Sequence, residues 1–78
     1  MQVISVARRD SELLVEVLQQ GDVTPTDVLI DGPRRLRILG IEFPDSTAKT
    51  MRLLFTGEAT APDVGAEVHI ERGEGRRR

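Results

Sequence analysis

Apolar residues along this chain fall in short runs of Val, Ile and Leu, broken by Gly, Pro and Asp. Short β-branched runs punctuated by turn formers are the pattern of strands rather than long helices. Residues 2–8, Gln-Val-Ile-Ser-Val-Ala-Arg, suit a first strand, with Ile4 alternating against Val3 and Ser5. Val28-Leu29-Ile30 is a short strand that ends at the turn signal Asp31-Gly32. Residues 34–43 form the longest predicted strand. One face carries Leu36, Ile38, Gly40 and Glu42, the other Arg35, Arg37, Leu39, Ile41 and Phe43. Apolar residues on both faces ask for cover on each side, and Gly40 suggests a bulge or a tight bend. Pro44-Asp45-Ser46 is a loop, residues 50–56 return with Met51, Leu53 and Phe55 on one face, and residues 67–71 end with Val68 and Ile70 inward.

Residues 12–19 admit two readings. As a helix, Ser11 caps the start, Leu13, Leu14, Val17 and Leu18 form a stripe, and Gly21 stops it. As a strand, Leu13, Val15 and Val17 share one face and complete a hairpin with residues 2–8 across Arg9-Asp10-Ser11. The helix would be barely two turns and would leave Val15 off its stripe, which favours the strand. The total is six short strands in an all-β barrel or sandwich.

A repeat runs through this pattern. Gly21-Asp22-Val23-Thr24 leads to Asp27-Val28-Leu29-Ile30-Asp31, and Gly57-Glu58-Ala59-Thr60 leads to Glu67-Val68-His69-Ile70-Glu71. A strand end, a proline-containing connection and a short acid-flanked strand are used twice, which suits a barrel with approximate internal symmetry.

The order Val15-Glu-Val-Leu-Gln-Gln-Gly21-Asp-Val23, Thr26-Asp27-Val28-Leu-Ile30-Asp-Gly32, Leu36-Arg-Ile38-Leu-Gly-Ile41-Glu42 carries a resemblance, continued by Leu53-Leu-Phe55-Thr-Gly57-Glu58 and residues 63–70. It resembles the second, β-barrel domain of translational GTPases such as elongation factor Tu, over residues 3–71. The resemblance implies a small, closed, six-stranded antiparallel β-barrel and a docking role on RNA, the ribosome or a neighbouring domain. Thr26 stands where the family's usual glycine precedes the Asp. No Gly-x-x-x-x-Gly-Lys-Ser/Thr occurs, so GTP hydrolysis is not carried over.

Length changes the picture little: 78 residues suit one domain, read as residues 1–71 with a basic, glycine-rich tail over 72–78 that is expected to be disordered. Charge changes it more. The net charge of −2 argues against a generally basic nucleic-acid binder, but residues 1–71 carry −5 and residues 72–78 carry +3. With no cysteine there are no disulfides, thiolate metal sites or cysteine nucleophiles. No apolar run approaches the ~20 residues that span a bilayer, and no signal-peptide pattern opens the chain, so membrane contact is not expected and a cytoplasmic location is.

Candidate chemistry is sparse. His69 is the only histidine, flanked by Glu67 and Glu71, and could serve as a base or a pH-sensitive contact. The outward face of an alternating strand makes it an ordinary surface residue instead. Ser5, Ser11 and Ser46 lack a nucleophile setting, so no catalytic, cofactor or metal residue is assigned and an enzyme is not expected. Arg34, Arg35 and Arg37 are the partner-binding candidates, with Arg8 and Arg9 able to extend the patch. Such a row also serves as a solvated edge that discourages aggregation. Weak RNA contact could come from these arginines and from Arg76, Arg77 and Arg78, but Trp and Tyr are absent and Phe43 and Phe55 are expected in the core. The function read from the sequence is a non-catalytic module docking on a protein or ribonucleoprotein. The rival is a homo-oligomeric scaffold joined through strand edges.

Overall fold

The structure, a computed structural model, describes residues 1–18, 23–43 and 49–73. The Pro44-Asp45-Ser46 loop, Gly21-Asp22 and Arg76, Arg77 and Arg78 lie outside the described residues. Seven strands occur among the described residues: β1 (Val3–Arg9), β2 (Glu12–Leu18), β3 (Val28–Asp31), β4 (Arg34–Arg37), β5 (Gly40–Glu42), β6 (Thr50–Thr56) and β7 (His69–Glu71). They form two antiparallel sheets, β1-β2-β6-β5 and β4-β3-β7. No helix among the described residues is long and apolar enough to cross a membrane.

Residues 12–18 are strand, the reading that the hairpin with residues 2–8 favours. Each residue of β2 pairs with β6, from Glu12 with Thr56 to Leu18 with Thr50, while its other edge pairs with β1. A central strand with both backbone edges engaged leaves no donors for a helix. Period-two alternation then turns Leu13, Val15 and Val17 inward against Phe55, Leu53 and Met51. From the other sheet, Leu29, Leu36, Ile38 and Val68 complete the core. Two tight hairpins set these registers. Asp10 (φ 54°) turns β1 into β2, an excursion Asp tolerates. Gly32 (φ 61°) and Pro33 join β3 to β4, a positive φ followed by a fixed negative one, as in a type II′ turn.

Two expectations are corrected here. The long strand over residues 34–43 is two strands on different sheets. The Ile38 N–H donates to the Asp27 carbonyl (3.0 Å) on the three-stranded side, and the Leu39 N–H donates to the Leu54 carbonyl (2.8 Å) on the four-stranded side. Between them the alternation slips by one residue. Leu36 and Ile38 point inward before the break and Ile41 packs on the core after it, so one face is buried rather than two. Leu39 is left 56% exposed, and Phe43, expected in the core, is 62% exposed because it lies past the last β5–β6 pair, Glu42 with Arg52.

The second correction concerns closure. The sheets meet at that crossing and at an isolated Gln2–Glu67 bridge, where Val3 and Val68 donate to the Ala66 and Met1 carbonyls. Among the described residues the outer edge of β4 is unpaired and no closed six-stranded barrel is found; two sheets pack on one core.

The repeat shows itself as pairing. Its two acid-flanked strands are neighbours: Leu29 opposes Ile70, Val28 opposes Glu71 and Ile30 opposes His69. The β1–β2 hairpin has its counterpart in β5–β6, and the register shift between Val3 and Ser5 has its counterpart in the break at Ile38-Leu39. The strand order thus reads alike in the two halves, β1-β2-β3 and β4/β5-β6-β7.

Candidate partner-binding face

Alternation along β4 buries Leu36 and exposes Arg35 and Arg37 on the outer face of the three-stranded sheet. Register continues two rows across that face: Arg35, Ile30, His69 and Arg37, Val28, Glu71. The Arg35 guanidinium pairs with Glu71 (2.9 Å). Arg37 has no hydrogen-bond or ion-pair partner among the described residues. Arg34 is parted from them by the same alternation, and its guanidinium donates to Asp31 Oδ2 (2.7 Å) across the β3–β4 turn. Of the three candidate arginines, two share a face and the third braces a turn.

Arg8 and Arg9 also separate. Arg8 donates to the carbonyls of Gly57 (2.6 Å) and Ala59 (3.1 Å), holding the chain that follows β6. Arg9 reaches Glu42 (3.1 Å) and Glu12 (3.5 Å) on the outer face of the four-stranded sheet. Glu42 also accepts from Arg52 (3.1 Å). These hydrogen bonds, Arg52 first and Arg9 next, hold the Glu42 carboxyl below its ordinary range, and Glu42 in turn raises the Arg9 guanidinium. Leu14 and Leu54 lie on this face outside the core cluster, yet both are buried. Arg9 and Arg52 stand beside Leu14 in a shallow groove on this face, where long cationic side chains can cover apolar surface with their stems.

Arg35 and Arg37 stand between two grooves. One, of ≈ 300 Å³, is polar and is lined by Thr26, Val28, Glu71, Arg72 and Gly73 beside the two arginines. The other, of ≈ 390 Å³, is more apolar and lies between β4 and the chain after β6, with Leu36, Leu39, Phe55, Thr56, Glu58 and Ala59 as its walls.

The polar groove contains what sequence reasoning missed. The described body runs two residues beyond Glu71. The Gly73 N–H donates to Asp27 Oδ1 (3.1 Å), and the Thr24 N–H donates to Asp27 Oδ2 (3.0 Å). A Cβ on Gly73 would overlap the Thr26 carbonyl oxygen, so only glycine fits this approach. Asp27 is a buried carboxylate, and its anchorage brings Arg72 beside Arg37. The paired acid-flanked strands of the repeat were the available signal for Glu71 lying across from Arg37.

His69 is exposed on β7, and Ser5 and Ser11 are exposed as well. Among the described residues no group of three His, Asp or Glu side chains is placed to hold a metal ion.

The fold and this face define a small all-β chain of two antiparallel sheets with a cationic ridge between a polar and an apolar groove. Comparison of the chain with protein-family models, with curated proteins and with solved structures finds no match.

Proposed function

We propose that this chain is a non-catalytic binding module, of the kind formed by the second domain of translational GTPases, which docks on an anionic protein or ribonucleoprotein partner through Arg35 and Arg37. One observation carries the reading. Arg37 is exposed and without a partner among the described residues, while Arg9, Arg34, Arg35 and Arg52 all meet carboxylates. An unneutralised guanidinium offers a bidentate contact to carboxylate or phosphate at little desolvation cost. Arg72 adds a second such charge at the same groove. Arg34 contributes by bracing the turn from which β4 starts. The kinship to the translation-factor domain draws support from the internal repeat and from the all-β antiparallel build.

Retention on an immobilised polyanion tests the reading. The wild-type chain should bind heparin at low salt and elute as salt rises, and Arg37→Glu should elute markedly earlier, as fewer anions are neutralised. Identical elution of the two proteins would reject the arginine ridge.

A further inference from the structure

The geometry points to a more particular partner: we infer that β4 accepts an extended polypeptide strand along its open edge, one carrying acidic residues at alternate positions with apolar residues between them. This rests on the docking reading above and specifies its occupant. In an antiparallel sheet, successive residues aim their N–H and C=O groups at opposite edges. The Ile38 N–H bonds Asp27 on the β3 side, so Leu36 faces β3 too, and the N–H and C=O groups of Arg35 and Arg37 face away from it. Among the described residues no strand takes them, because β4 is the edge of its sheet. The Leu39 N–H, aimed the same way, is already bonded to Leu54. Edge pairing with β6 thus begins at Leu39 and is missing beside Arg37 and Arg35, where the chain leaves β6 and turns at Gly57.

The apolar groove occupies that gap. A guest strand there would bond Arg35 and Arg37 by backbone groups, which is strand addition to an exposed sheet edge. Guest residues directly opposite Arg35 and Arg37 share their face, and charge complementarity makes these acidic. The guest residues between them point to the other face, towards Leu36, Leu39 and Phe55, and are therefore apolar. A second copy of this chain is a poor guest, since antiparallel pairing of two β4 edges would set arginines against arginines. Nucleic acid lacks the alternating backbone N–H and C=O groups that such an edge pairs with, and the Phe55 ring is buried rather than offered for stacking.

The test uses the full chain and a fluorescent seven-residue peptide alternating glutamate and valine. Fluorescence anisotropy should show saturable binding, and amide exchange should show new protection at Arg35 and Arg37. In this register the glutamate N–H groups face β4 and the valine N–H groups face away. N-methylation of the glutamates should therefore weaken binding about tenfold or more, and N-methylation of the valines should not. Leu39→Asp, an exposed substitution checked for folding by circular dichroism, should weaken it to a similar extent. Equal binding of both methylated peptides would overturn strand addition while leaving anion docking intact. Binding of a single-stranded RNA but not of the peptide would overturn it in the same way. Failure of every anion, heparin included, would remove both readings.

Discussion

The two sheets treat their outer faces and edges differently. On the four-stranded sheet, Arg9 and Arg52 converge on Glu42, and the start of β1 is sealed by Val3 donating to Ala66 and Gly65 donating to Val3. On the three-stranded sheet, Arg37 has no counter-charge among the described residues, and the β4 edge is bare. The two seams are counterparts under the internal repeat, so the contrast is instructive. A strand that shifts register at Val3/Ser5 is covered by residues 65–68 and buries Val3. Its counterpart shifts at Ile38-Leu39, buries Ile38 and leaves Leu39 in solvent beside a groove, as the first seam leaves Ile4. Each seam buries one residue and exposes the next; they differ in that residues 65–68 cover the first, while no described strand pairs with β4 beside the second.

Amide exchange would break this comparison most directly. Val3 and Val68 at the sealed seam should be protected relative to Arg35 and Arg37 by on the order of a thousandfold, as opening them requires sub-global unfolding. Comparable rates would show that the β4 edge is covered after all.

Asp27→Ala is expected to have the largest effect of any single substitution at the open seam. It deprives the part-buried Thr24 N–H and the buried Gly73 N–H of their acceptor, with a loss of about 3 kcal/mol in denaturant unfolding. It should also release Arg72 from the polar groove and so lower heparin retention, whereas Asp27→Asn, which keeps one acceptor oxygen, should lose less.

Truncation of one buried and one exposed seam residue sharpens the contrast. Val3→Ala should cost about 2 kcal/mol by lost burial and a residual cavity. Leu39→Ala, at an exposed site, should cost less than about 0.5 kcal/mol.

The smallest effect lies on the closed face. Because the Glu42 carboxyl is held low by Arg52 and Arg9, its contribution to stability is present above the ordinary carboxylate range and is lost as pH falls through its lowered folded value. The melting temperature of Glu42→Gln should therefore lie below wild type near neutrality and meet it in acid. A gap that persists in acid would assign the effect to something other than this carboxylate.

Much of this molecule was legible in the chain. Turn residues and period-two alternation marked the strands, put Leu13, Val15 and Val17 in the core and set Arg35 and Arg37 on one exposed face, because those are properties of a few adjacent residues. Tertiary structure alone decided that residues 34–43 divide between two sheets, that Ile41 turns inward and Leu39 and Phe43 outward, that Arg72 and Gly73 join the body through Asp27, and that no described strand pairs with the outer edge of β4. Those outcomes depend on which distant backbone groups are left to be bonded after the hairpins form, and the pattern within a single segment does not encode its partner.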